Sequence, residues 1–227
     1  MQELDTLVQE KYDVEWPGWP LSGNLYGDEF DRDARIRMVV GGRKLIPFVR
    51  QYRPRIQGPL LEIGPFFNPL IGHWELASHT GNDCSLTFLE NDPYAIDWLM
   101  MHFNCHILPL NMNDAAFRTH LQHSLCGDRT TGCIGFENII LSQTLNYVCP
   151  RNLLGSLFPY LRPGGLLFIN NVINYGIPPL LSPHRAATNE QIRVIATEEG
   201  YFIAGEHMVP REFEKEPEDR LILILAK

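Results

Sequence analysis

From Pro59 onward the chain alternates short, unbroken apolar runs with longer stretches of helical period, and this rhythm limits the fold more than any other feature. A strand that is apolar on both faces needs cover above and below. Crossover helices on a parallel sheet supply that cover. The runs read as strands fall at 60–63, 86–89, 106–110, 138–141 and 166–170, with helices at 93–103 and 152–161. After Gly200 the rhythm changes: "YFIAGEHMVP" and "DRLILILAK" are two β-rich runs joined by a charged segment, which predicts an antiparallel pair at one edge. The expected fold is therefore α/β, a doubly wound, mostly parallel seven-stranded sheet with an antiparallel C-terminal strand pair.

A chain of 227 residues with 44% hydrophobic content supports one sizeable core, since a second would leave both halves small. The division read from the sequence is an N-terminal helical and aromatic segment, 1–57, followed by the main domain, 58–227. Within the N-terminal segment, residues 3–12 suit a short amphipathic helix, and "VEWPGWPLSGNLYG" is too rich in Pro and Gly for regular structure. A further helix begins after Asp28, turns Ile36, Val39, Val40, Leu45 and Ile46 inward, breaks at Gly41-Gly42 and ends at Pro54.

The formal charge of -8, with acidic residues spread along the chain, offers no basic field for nucleic acid or an anionic membrane surface. No apolar run approaches bilayer length. Five cysteines, odd in number and without zinc-ribbon pairing, and no positively charged leader give the expectation of a cytoplasmic protein with reduced thiols. His102, Cys105 and His106, and His120, His123 and Cys126, lie close in sequence, but no carboxylates stand where they would support ligands. No metal site is expected.

A doubly wound sheet binds ligands at the carboxyl ends of its strands, near the point where strand order reverses. After the first strand, "LLEIGPFFNPL" delivers Gly64 and then Pro65, Phe66 and Asn68 where a dinucleotide turn would have more glycines. After the second comes "ENDP". Glu90 there suits the two hydroxyls of a ribose, or else the cap of the next helix; Asp92 is the better cap, which leaves Glu90 for the ribose. A pyrophosphate needs close backbone approach at a second glycine, and Phe66 blocks it. S-adenosylmethionine carries no phosphate and needs close approach at one glycine only.

The residues from about Leu60 to the C-terminus resemble the class I, Rossmann-like S-adenosylmethionine-dependent methyltransferases. "LLEIGPFFNPL" is similar to the first motif of that family, "LTFLENDPYAIDWL" to its second strand with acidic end, and "FENIILSQTLNYV" to its fourth strand and exit loop. "LFPYLRPGGLLFINN" is similar to its Pro-Gly-Gly turn and fifth strand, the most specific of the four. The resemblance implies S-adenosyl-L-methionine as cofactor, a small-molecule acceptor, and a site assembled from these loops. Glu62, Gly64, Pro65, Phe66 and Asn68 would hold the methionine moiety, and Glu90 with Asn91 the ribose. Asn111, Met112 and Asn113 would lie at adenine, with Asp114 the alternative if the strand is shifted. Ser142 and Gln143 would form the floor. The segment 1–57 becomes a helical lid, with Tyr26 reaching the cofactor carboxylate, and His184, Tyr175 and His73 become candidates for catalysis. Asn146 and Tyr147 are placed similarly to His184 and Tyr175. The N-terminal segment could cover its own pocket or that of a second copy in a homodimer. The 28 positions from Glu62 to Glu90 exceed the family's usual gap, so a longer loop or helix is expected around 71–82. Two other readings follow from the departures in the cofactor loop: a methyltransferase-like subunit that no longer catalyses, and a nicotinamide-dependent oxidoreductase.

Overall fold

The structure, a computed structural model, describes residues 32–126, 133–176, 180–211 and 216–227, with side chains from Met38 onward. In chain order the helices are α1 (Arg32–Arg43), α2 (Ile46–Tyr52), the short α3 (Trp74–Ala77), α4 (Pro93–His102), α5 (Phe117–Cys126), α6 (Pro150–Leu157) and α7 (Asn189–Glu198). The strands are β1 (Pro59–Ile63), β2 (Ser85–Leu89), β3 (His106–Leu108), β4 (Phe136–Ser142), β5 (Leu161–Asn171), β6 (Phe202–Val209) and β7 (Arg220–Ala226).

They form one seven-stranded sheet in the order β3-β2-β1-β4-β5-β7-β6. Strands β1 to β5 run parallel. β7 inserts antiparallel between β5 and β6, as the β-rich ending predicts. The order reverses between β1 and β4, so the crevice for a ligand opens where these two strands end.

Alternation along each strand sends neighbouring residues to opposite faces, and both faces are covered. Leu61, Ile63, Ile139, Leu141, Leu167 and Ile169 pack with residues of α5, α6 and α7. Leu60, Ile140, Phe168, Ile222 and Ile224 pack on the other side with α1, α2 and α4 through Val39, Val40, Leu45, Ile46, Val49, Trp98 and Leu99. Each such side chain contributes about 1.5–3 kcal/mol by leaving water. Helices α1 and α2 are thus built into the core, while the residues before Arg32, Tyr26 among them, lie outside the described ones.

Three local expectations need correction. The helix does not break at Gly41-Gly42: both stay in α1, and the chain turns at Lys44 and Leu45. The glycines are needed for close approach, because a Cβ on Gly41 would stand 2.6 Å from Arg220 Nη2 and 2.9 Å from Gln143 Oε1. The Pro-Gly-Gly sequence does not precede β5 but interrupts it. The register jumps from Phe136↔Leu161 to Asn138↔Leu166, and Gly164, at φ 77°, turns its carbonyl to Arg53 Nη2 at 2.6 Å.

The third correction concerns the thiols. Cys126, at the end of α5, is bonded to Cys133, ahead of β4, with S–S 2.14 Å. Their separation of seven residues lets one connection close on itself, which an odd total of cysteines does not reveal. Cys84, Cys105 and Cys149 are free. Among the described residues, no helix is long and apolar enough to cross a membrane, and no three His, Cys, Asp or Glu side chains cluster as metal ligands.

Candidate functional site

At the switch point the backbone after β1 is arranged by two carboxylates. Gly64 adopts φ 60° and lies so close to the loop after β4 that a Cβ would meet Thr144 Oγ1 at 3.0 Å. The Thr144 hydroxyl in turn lies 3.2 Å from Ile63 O, tying the two strand ends together. Phe66 follows at φ 51°, a left-handed conformation that is costly without glycine.

That conformation turns the Phe66 N–H onto Glu90 Oε2 at 2.9 Å. Glu90 Oε1 accepts from the N–H groups of Asn91, at 2.8 Å, and Asp92, at 3.0 Å. Glu90 is buried, and desolvation raises its pKa against the pull of these three donors. Asp92 caps α4 by accepting from Ala95 N–H at 2.8 Å.

Glu62 organises the next turn of the same loop. Its carboxylate is 2% exposed and accepts from Leu70 N–H at 2.6 Å and Ile71 N–H at 3.4 Å. Burial pushes its pKa up to about 7, against those two bonds. The extra residues expected around 71–82 begin here, as a 3-10 turn, Leu70–Gly72, followed by α3. His73 Nε2 lies 3.0 Å from Asn68 Oδ1; both are buried. Burial, aided by Arg43, drives the His73 pKa down to about 4, so the ring is neutral near pH 7.

The two phenylalanines divide. Phe67 is core, edge-on to Trp98 at 5.8 Å, whereas Phe66 is only half-buried at the end of the loop.

Where β4 and β5 end, a polar network lies against α1. Asn170 Nδ2 reaches the Gly41 carbonyl at 2.9 Å and Ser142 Oγ at 3.1 Å, and Asn170 Oδ1 accepts from Arg220 Nη1 at 2.9 Å. Arg220 pairs with Glu216; both are buried. Gln143, at φ 60°, donates from Nε2 to Met38 O at 2.9 Å. Carbonyls of α1 are therefore bonded by an amide from β5 and by one from the residue after β4. Ser142 and Gln143, expected from the sequence on the floor of a cofactor site, take part in this network; Asn170, Glu216 and Arg220 were not among the sequence candidates. Arg220 opens the apolar run "LILILA", where a buried cation has no sequence signal.

The adenine candidates lie in the turn between β3 and α5. Asn111 and Asn113 are exposed and Met112 is half-buried; Asn113 Nδ2 donates to Tyr147 O at 2.9 Å. Asp114 Oδ1 accepts from Ala116 N–H at 2.8 Å, in a turn leading to α5. Of the remaining candidates, Tyr175 is half-buried and its carbonyl accepts from Asn146 Nδ2 at 2.7 Å. His184 is exposed, with its backbone N–H on Ser182 Oγ at 3.2 Å. His102, from the metal candidates, is occupied by Trp98, stacking on its ring at 4.6 Å and bonding its carbonyl at 2.7 Å.

The strand order, the antiparallel ending and the crevice between β1 and β4 define the class I, Rossmann-like fold of S-adenosylmethionine-dependent methyltransferases. Solved structures of that fold superpose over most of the chain. The N-methyltransferase NodS from Bradyrhizobium japonicum WM9 matches with a TM-score of 0.55 at 17% identity, over 82% of this chain and 96% of that one. An S-adenosylmethionine-dependent methyltransferase from Clostridium acetobutylicum ATCC 824 gives 0.59 at 8% identity, over 87% and 95%. The glycopeptide N-methyltransferase MtfA, complexed with S-adenosyl-L-methionine, gives 0.55 at 13%, over 82% and 93%. No protein-family profile and no curated protein matches the sequence.

Proposed function

We propose that this chain is an S-adenosylmethionine-dependent methyltransferase acting on a small-molecule acceptor. One observation carries the reading: the backbone N–H groups after β1 that would cradle a phosphate are turned onto carboxylates, Phe66 onto Glu90 and Leu70 and Ile71 onto Glu62. A pyrophosphate would meet two buried acids that already hold these N–H groups. A cationic, phosphate-free ligand suits the same surroundings.

The donor set fits that cofactor with a restriction. A carboxylate offers about four lone-pair directions, and Glu90 already spends three on N–H groups. Glu90 would hold one ribose hydroxyl through its remaining direction, and a second only in place of one of these N–H groups. Gly64 and Asn68 would face the methionine moiety, Asn91 the ribose, and Asn111 to Asn113 the adenine. The lid role of residues before Arg32, with Tyr26 at the cofactor carboxylate, belongs to the same proposal.

When bound, the cofactor supplies a methyl group on a sulfonium, a very good leaving group, for in-line displacement by the acceptor. The chain's own contribution is then positioning and exclusion of water by the loops after β1, β4 and β5. A base is required only where the acceptor arrives protonated. His184, exposed after β5, would take that role, whereas the Tyr175 hydroxyl is buried. His73 does not suit it, since it is buried on Asn68.

Calorimetry with S-adenosylmethionine and its demethylated product tests the reading. Binding of both is expected, and Glu90→Ala should weaken it by about 1–3 kcal/mol, the cost of stranding buried hydrogen-bonding groups. Absence of binding by the intact chain would sink it. The crowding of Glu90 favours one alternative, a silent cofactor-binding subunit, for which binding would be seen with no transfer of labelled methyl to any acceptor.

A further inference from the structure

Acid and base are spread unevenly along the chain. Between Asp33 and Glu62 stand seven of its 19 Lys and Arg residues and no acid, in a protein whose net charge is -8. Part of that charge is already used: Arg43 pairs with Glu75, and Arg53 bonds Asn138 Oδ1 at 3.0 Å and Gly164 O at 2.6 Å. Arg50 is exposed in the last turn of α2, and among the described residues no carboxylate pairs with it.

Arg50 lines a groove of about 490 Å³ together with Gln51, His79, Pro47 and Pro54. Helix α2 and the residues just after it form one wall, and His79 stands on the other. Backbone bonds fix the two walls to each other: Ile56 N–H donates to His79 O at 2.8 Å, and Gly81 N–H to Ile56 O at 2.7 Å. These bonds fall just ahead of β1 and β2, so the groove lies toward the amino ends of those strands, away from the crevice at their carboxyl ends.

The lining has one electrostatic sense. Arg50 offers a planar fork of N–H donors and Gln51 an amide, and His79 has its Nδ1 at Ser78 Oγ, 3.0 Å away, which leaves Nε2 for another partner. No Asp or Glu lines the groove, so a cation would find no counter-charge there. Pro47 and Pro54 add rigid apolar surface. The volume suits a small molecule and is too little for a polyanion strand.

We infer that this groove is a binding site for a small phosphate monoester, separate from the cofactor crevice and independent of the methyltransferase reading. Donors on two walls suit the three terminal oxygens of a tetrahedral phosphate better than the two oxygens of a planar carboxylate. The prolines suit the apolar remainder of the ester.

Titration of the full chain with phenyl phosphate, followed by calorimetry and phosphorus NMR, tests this, with benzoate as the planar counterpart. Phenyl phosphate should bind, about tenfold more tightly than benzoate. Arg50→Gln should weaken its binding by about tenfold, the loss of a charge-assisted pair. His79→Leu should weaken it by a smaller factor. Arg151→Gln, which removes an exposed cation on α6 against the opposite face of the sheet, should leave it unchanged. Unaltered urea midpoints would show that the variants remain folded. Absence of phenyl phosphate binding, binding that survives Arg50→Gln, equal losses in Arg50→Gln and Arg151→Gln, or benzoate binding as tightly as the ester would each overturn the inference.

Discussion

At the scale of single residues, the site is shaped by conformations that the side chains do not prefer. Phe66 holds φ 51° although it has a Cβ, and the return is a backbone N–H delivered to Glu90. Ordinarily Ala is favoured over Gly in a loop by about 0.4–1 kcal/mol, because glycine loses more freedom on folding. At position 66 the order should reverse. Both Phe66→Gly and Phe66→Ala delete the ring, but only glycine enters the left-handed region without strain, so the glycine variant should be the more stable by roughly 0.5–1 kcal/mol. Urea midpoints of the two variants check this, and the usual order, Ala above Gly, would show that the loop relaxes out of this conformation. Little of this is legible in the sequence. Its glycine-poor turn gives the expectation that Phe66 obstructs a pyrophosphate, but no sign that the Phe66 N–H takes up some of the bonding capacity of Glu90.

At the scale of elements, legibility follows the source of the signal. Strands β1, β2 and β4 are apolar on both faces and are readable because two helical layers demand such runs. The antiparallel ending is readable for the same reason, since β7 is buried throughout all but its last position. The Pro-Gly-Gly interruption of β5 is not, because it depends on Arg53 reaching across from the residue after α2. Nor is the integrity of α1. Glycines at 41 and 42 signal a break locally, yet the helix is held by Asn170 and Gln143, in and just after strands far along the chain. The consequence can be measured. Gly41→Ala improves helix propensity by about 1 kcal/mol, but the added Cβ would meet Arg220, which its bonds to Glu216 and Asn170 keep from moving. A net loss of about 1–3 kcal/mol is expected. Gly42→Ala, whose Cβ would stand 3.3 Å from Asn68 Nδ2, should cost less. Equal, small effects at both positions would mean that the floor network yields readily.

At the scale of the whole molecule, two buried groups, one on β1 and one in the loop that follows it, give the folding equilibrium opposite responses to pH. Glu62 titrates near 4.5 when unfolded and at about 7 when folded. Between those values the folded chain holds a proton that the unfolded chain has released, so stability falls as pH rises. His73 moves the other way, from 6.5 to about 4. Between those values the unfolded chain binds a proton that the folded chain refuses, so stability rises with pH. Each shift corresponds to roughly 3 kcal/mol, and over their shared window, pH 4.5 to 6.5, they largely cancel. Removing either one should expose the other. Relative to the intact chain, Glu62→Gln should lose stability on acidification through that window, and His73→Gln should lose it as pH rises from 4.5 to 7. Urea titrations at intervals across this range provide the measurement, with all other carboxylates common to the three proteins. Parallel curves for the three would contradict the burial of both groups in the folded chain. Divergence in the stated directions would tie the loop that carries Asn68 and Phe66 to the global stability of the sheet beneath it.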